Sequence, residues 1–333
     1  PSPSPARRPL RTAHARTAQK YMLSLMVSTA ALLSPPRVAI TGSTGKLGTE
    51  AVKQLVAAGY QVRALVRPGS ESKADAISSL PGVALVTGSV TSATDCVTLV
   101  DGCSAVLSMH GARRSSKITD AFPWTRPEDD DPTHSKQVNF VGVQNLIDAV
   151  KASATCQRII RITGKGETPF SIFSILINTM GSMAKAWNYE GERLLRGSGV
   201  DYTIVRPGVM MDGVELEPKS LALADDGGEL KVSKIGYPTI AALCVESLAY
   251  PNAAKCTLTA MAVPTGEGAD TYAPLLQAVR ADRRAFPGDE LFAKNLLAVR
   301  LGGAAIVGIA AAAAAGVLNI VLRLAALVGS FLR

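Results

Sequence analysis

The sequence predicts an α/β fold in a single domain, a doubly wound parallel sheet with helices on both faces. Two observations predict it. Short apolar runs rich in β-branched residues alternate with amphipathic stretches between Arg37 and Val205, the pattern of strands covered by helices. The first run also leads directly into glycines at 42, 45 and 48 and then into an apolar-periodic segment.

Taken in order, Val38 and Ile40 carry the first strand, and Ala51, Val52, Leu55 and Val56 mark one face of the helix after the glycines. Gln61–Val66 follows as a second strand at the spacing of a βαβ unit. Val83–Thr87 and Ala105–Ser108 read as the third and fourth strands, and Arg158–Thr163 and Tyr202–Val205 as the fifth and sixth. A helix is expected from about Gln137 to Ala152, burying Val141, Leu146, Ile147 and Val150. Two stretches break the rhythm. Ala112–Lys136 is polar, with three prolines and the acidic run Asp129–Asp131. It is expected either to cover a site beyond the strand ends or to be a solvated loop. Pro169–Met183 is apolar and is expected to line a groove or to pack on the core. There is no internal repeat.

The loop Gly42-Ser43-Thr44-Gly45-Lys46-Leu47-Gly48 has the spacing of a Rossmann-like dinucleotide site. The first glycine permits the tight turn, the second lets a pyrophosphate approach the backbone, and the third lets helix pack on strand. The helix N-terminus then offers N–H groups to phosphate. The competing reading is an ordinary tight turn; the strand before and the helix after favour the dinucleotide. At the end of the second strand, where an acid would hold the ribose of NAD, stands Arg67. A guanidinium there can grip a 2′-phosphate bidentately, and Lys46 adds a charge nearby. The expected cofactor is NADP(H) rather than NAD(H). The alternative is that Arg67 and Lys46 are solvated surface cations.

The formal charge of +8 is unevenly placed. Residues 1–36 hold five cations and no acid, so the remainder carries only +3. No basic stripe with interleaved aromatics remains to suggest nucleic acid. The acid-free leader, rich in Arg, Ser and Ala, resembles an organelle transit peptide; a disordered tail is the alternative, and Met22 or Met26 is an alternative start. Five cysteines without a Cys-x-x-Cys pair, and three scattered histidines, argue against a disulfide framework and a metal site. At the other end Leu301–Leu322 runs 22 residues without a charge. As a helix it would reach ~33 Å, enough to cross a bilayer core. An apolar helix docked on the domain is the other reading. The expected organisation is a leader over 1–36, a Rossmann domain over 37–290 and a C-terminal apolar, membrane-associated helix over 291–333.

With these pieces placed, the chain resembles the atypical short-chain dehydrogenase/reductases, in particular their NAD(P)H-binding, NmrA-like branch. The resemblance covers about Arg37 to Val263. It rests on Thr41–Gly48, on Val138-Asn139-Phe140-Val141-Gly142-Val143-Gln144-Asn145-Leu146, on Ser198–Gly208 and on Ile240–Val245. It implies a chloroplast protein associated with an organelle membrane or a membrane protein complex; a mitochondrial location is the alternative. It also implies a Tyr and, four residues later, a Lys that together move a proton and hold the ribose. Those positions fall on Ala184 and Asn188. Tyr189 and Arg193 are four apart but one residue out of register, ~100° around a helix, and Lys185 is displaced likewise. Thr163 stands for the family serine, and Lys165 follows it. Thr163, Lys165 and Tyr189 are therefore the catalytic candidates. Where the family has Gly-Asp near the adenine, this chain has Gly88-Ser89-Val90, so Ser89 and Val90 are expected there. Gly111 and Ala112 match the turn beneath the cofactor ribose. A cofactor-binding scaffold or redox sensor is the expected function, and an NADPH-dependent oxidoreductase without the usual dyad is the alternative.

Overall fold

The computed structural model describes residues 35–117, 127–214 and 217–303, together with 308, 315 and 316. Nearly all of the expected leader and most of Leu301–Leu322 lie outside the described residues.

Strand β1 (Arg37–Thr41) is followed by α1 (Lys46–Ala57), β2 (Gln61–Val66), β3 (Val83–Thr87), α2 (Ala93–Val100) and β4 (Ala105–Ser108). Then come α3 (Gly142–Ala152), β5 (Arg158–Ile162), α4 (Ile172–Met180), α5 (Ala184–Gly197) and β6 (Asp201–Pro207). The chain continues through β7 (Val209–Met211), β8 (Leu221–Ala224), β9 (Lys234–Gly236), α6 (Tyr237–Ser247), β10 (Cys256–Ala262), α7 (Tyr272–Gln277) and α8 (Glu290–Ala298). The main sheet has the order β3-β2-β1-β4-β5-β6-β10-β8. It is parallel except for β8, which pairs antiparallel with β10 at one edge. β7 and β9 form a separate parallel pair.

A parallel strand in such a sheet is covered on both faces and must be apolar throughout. Val38, Ala39 and Ile40 of β1 are accordingly inaccessible to solvent. Leu47, Ala51, Val52 and Leu55 of α1 pack with Ile240, Leu243 and Cys244 of α6 on one face of the sheet. On the other face Cys96 and Leu99 of α2, Leu146 and Ile147 of α3, and Leu195 of α5 form the second core. Each fully buried Leu or Ile stabilises the fold by about 1.5–3 kcal/mol. All five cysteines are buried free thiols.

The expected helix from 137 to 152 divides in two: Gln137–Val141 is a wider π turn, and α3 starts at Gly142. The wide turn lies where a Cβ on Gly142 would come within 2.8 Å of the Val90 side chain. The sixth strand is longer than expected, and β8 and β10 were not anticipated. Pro169–Met183 holds α4, but its apolar side chains do not enter the core. Phe170, Ile172, Phe173 and Met180 are exposed, while Ser174 and Asn178 are buried. The reason is the partner: Asn178 donates to Asn295 Oδ1 of α8 at 2.9 Å and accepts from the Lys185 and Ala186 amides that open α5. The start of the C-terminal segment thus belongs to the body, with Phe292 4.5 Å from the Trp187 ring. Among the described residues no helix is long and apolar enough to cross a membrane.

Candidate functional site

The strand order reverses between β1 and β4, and in doubly wound sheets ligands bind beyond the carboxyl ends of strands at that point. A cavity of about 350 Å³ lies there. Its floor is the glycine loop. Gly42 has φ +69°, and a Cβ on it would lie 2.8 Å from the backbone of Met109 and His110. A Cβ on Gly48 would lie 2.1 Å from the Gly42 carbonyl oxygen. Only glycine fits either place. Gly45 is different, because the nearest atom to a Cβ there is 3.2 Å away and the position faces the cavity. Gly45 opens α1 with no side-chain cap and no acid in the first turn, so the first N–H groups of α1 keep their donors for an anion.

Of the residues expected at the cofactor, Gly42, Thr44, Gly45, Lys46, Leu47, Gly48, Arg67, Ser89, Val90 and Gly111 line the cavity. Ser43 and Ala112 do not. The Ser43 hydroxyl is buried and donates to the Leu65 carbonyl at 2.7 Å, tying the loop to β2. The Ala112 amide donates to Asn139 Oδ1 at 3.0 Å, and Asn139 Nδ2 in turn donates to the Ala184 carbonyl. Both positions shape the site from behind.

Sequence reasoning missed Ser70, Lys73, His110, Arg113 and Tyr237, which also line the cavity, as does Asn188 at the register position of the family lysine. Arg67, Lys73 and Arg113 join Lys46 there, and no carboxylate does. Lys46 pairs with exposed Asp212 outside the lining. Arg113 and Pro132 bring the two ends of the polar insertion to the cavity. An Arg114–Asp131 ion pair at 2.8 Å links the insertion's described ends, and a Ser116–Thr179 hydrogen bond at 2.7 Å ties one of them to α4.

At the other end of the cavity stand Ile162, Thr163, Asn188 and Met210. Thr163 donates its hydroxyl to buried Glu192. A threonine has one O–H, so it presents only lone pairs to the cavity. Burial pushes the Glu192 carboxyl upward, but Arg206 and Arg196 hold it below the ordinary carboxylate value. Arg206 Nε lies 3.1 and 3.2 Å from its two oxygens, and Arg196 reaches it at 2.7 Å. Lys165 pairs with Glu229 and does not line the cavity. Tyr189 is buried, donates its hydroxyl to the Pro287 carbonyl at 3.0 Å and faces away from the cavity. Lys185 turns toward Ser174 and Thr168. Burial, with Lys165 and Arg206 nearby, lowers its pKa to about 8.

Behind the cavity wall, Arg161 of β5 is fully buried. It donates to Ser108 Oγ at 3.0 Å, to the His110 carbonyl at 3.1 Å and to Asn188 Oδ1 at 2.8 Å. Burial, reinforced by Arg161, drives the pKa of His110 well below its ordinary value, so the ring is neutral. No cluster among the described residues could hold a metal ion.

A glycine-floored, cation-lined cleft at the switch point of a doubly wound sheet defines a nucleotide-binding protein of the short-chain dehydrogenase/reductase fold. Solved structures share that fold. A short-chain dehydrogenase/reductase of Veillonella parvula in complex with NADP superposes with TM-score 0.53 at 11% identity, covering 71% of this chain and 98% of its own. An oxidoreductase of Lactococcus lactis gives 0.52 at 16%, with 73% and 95% covered. Residues 42–251 match the NAD(P)H-binding family, and the chain belongs to it. An uncharacterised chloroplastic protein of Arabidopsis thaliana is 29% identical over 262 residues, 77% of this chain and 78% of the relative. The chloroplastic protein TIC 62 of Oryza sativa subsp. japonica is 26% identical over 214 residues, 59% of this chain but only 40% of the relative.

Proposed function

We propose that the protein is a chloroplast NADP(H)-binding scaffold or redox sensor, and not a dehydrogenase of the tyrosine–lysine type. One observation carries the reading: the cavity wall holds four basic side chains and no carboxylate, the complement of a dinucleotide with an extra phosphate. Arg67 and Lys73 stand together after β2, where a 2′-phosphate would be held. The glycine loop and the start of α1 would take the pyrophosphate. Ser89 and Val90 would flank the adenine, and Gly111 would lie under the ribose. When bound, the nicotinamide would supply hydride chemistry; the residues around it offer orientation and charge but no phenol at position 184. Isothermal titration should give tighter binding of NADPH than of NADH, and Arg67→Glu should narrow or reverse the preference. Equal affinities in the native protein would refute the NADP(H) assignment.

The plastid location is supported by the chloroplastic relatives and the acid-free leader. Membrane association is supported by the uncharged run Leu301–Leu322 and by the exposed apolar residues of α4. An alkaline carbonate wash of plastid membranes should leave the protein in the pellet; release into the wash would refute the anchor. A second reading, an NADPH-dependent oxidoreductase on an unidentified organic substrate, is favoured by Tyr237. This residue brings a phenol to the cavity with Lys46 Nζ 5.8 Å from its ring centroid. Turnover of a carbonyl, quinone or enone that disappears in Tyr237→Phe would establish it.

A further inference from the structure

Asn188 occupies the position where the family resemblance implies a ribose-holding lysine, and its orientation is settled by its neighbour. Arg161 Nη2 lies 2.8 Å from the side-chain amide of Asn188. A guanidinium carries only donors, so the amide oxygen faces it and the amide N–H₂ is turned away from it, on a residue that lines the cavity. No hydrogen bond among the described residues engages that N–H₂.

Arg161 is itself unusual. It is inaccessible to solvent and makes no ion pair among the described residues, and its Nε has no hydrogen-bond partner there. Burial lowers its pKa to about 10, so it remains a cation at neutral pH. The nearby acids do not cancel it. Glu192 and Glu167 are shared among Arg196, Arg206 and Arg284. Two carboxylates, one of which (Glu192) also acts on Arg161 through space, thus face four guanidiniums, and the positive charge left over projects a field into the adjacent space.

We infer that Arg161 and Asn188 together do the work of the missing lysine and make the site select the reduced cofactor. This rests on the dinucleotide reading above. With the 2′-phosphate at Arg67 and the pyrophosphate on the glycine loop, the second nucleoside lies toward β5, where Asn188 and Thr163 stand. Asn188 donates to hydroxyls of that ribose. Arg161 positions the amide and repels the cationic ring of NADP⁺ but not the neutral ring of NADPH. Occupancy then follows the reduced fraction of the cofactor pool.

Isothermal titration with NADPH, NADP⁺ and the adenine-half probe 2′,5′-ADP tests the inference. The native protein should hold NADPH about tenfold tighter than NADP⁺, the scale of one fixed charge acting on another through a partly screened interior. Asn188→Asp keeps the shape, removes the donors and gives Arg161 a counter-ion. It should weaken NADPH about tenfold and abolish the preference, with 2′,5′-ADP unchanged. Asn188→Leu removes the donors but leaves the charge, so it should weaken both forms and keep the preference. Equal native affinities for NADPH and NADP⁺, or a ratio unmoved in Asn188→Asp while 2′,5′-ADP still binds, would overturn the inference. A native protein that fails to bind 2′,5′-ADP would instead overturn the NADP(H) reading on which it stands.

Discussion

The two ends of the cavity are built from equivalent strand ends but on different principles. Beyond β2 and β3 the wall is exposed and cationic: Arg67 follows β2, Lys73 lies in the short helical turn Glu71–Ala74, and neither makes an ion pair among the described residues. Beyond β5 and β6 the polar groups are buried and already engaged. Thr163 is tied to Glu192, Glu192 to Arg196 and Arg206, and Arg161 to Ser108, His110 and Asn188. The first end keeps its donors free for a ligand. The second ties its buried polar groups to one another, Thr163 to Glu192 and Glu192 to Arg206. The difference teaches that one end of a cofactor cleft can be built from free surface charges and the other from a buried network.

The comparison can be broken most severely at Glu192. If the β5–β6 end is a support, Glu192→Ala should cost about 3–5 kcal/mol, because it strands the Arg196 charge and leaves buried Arg206 with Glu167 alone. Denaturant titration measures this directly. A variant as stable as the native chain would mean the network is held for reactivity and not for structure.

At the opposite end, Gly45→Val tests whether the loop is reserved for ligand. The backbone there is extended, with φ −83° and ψ 163°, a region that suits valine. Stability should fall only modestly, through the 3.2 Å contact with the Gly42 carbonyl oxygen, while NADPH binding should weaken at least about 100-fold, or about 2.7 kcal/mol. Retained binding would show that the phosphates do not approach this loop.

The smallest effect is expected at Tyr189. Tyr189→Phe removes only the hydrogen bond to the Pro287 carbonyl, a loss of about 1 kcal/mol, and should leave cofactor affinity and any turnover unchanged. A fall of about 10²–10⁴-fold in turnover, the usual contribution of a general acid, would place the reacting centre on the far side of α5.

How much of this was legible from sequence follows the same division. β2, β3 and β4 begin and end where expected, because each is a compact apolar run. The glycine loop was legible too, since its demands on φ and close approach admit one residue type. β10 was not. Cys-Thr-Leu-Thr-Ala-Met-Ala has few β-branched residues, and its strand character comes from β6 and β8, which are distant in the chain. The inverted α4 was missed because apolar composition does not say which face is buried; Asn178 and Asn295 decide that across 117 residues. Asn188 could be placed in register from the resemblance, but its orientation depends on Arg161, a cation in a strand that otherwise reads as ordinary core.

The buried thiols carry a consequence of their own. Burial raises the pKa of Cys96, Cys156 and Cys256 to about 12 and that of Cys103 to about 11, and Cys244 is driven up with them. Only the thiolate attacks peroxides, disulfides or alkylating reagents. In the folded chain these thiols are therefore inert toward oxidant, and they react only when the core opens. Their alkylation rate is a clock for that opening, and a ligand that slows the clock reports its own binding through mass action.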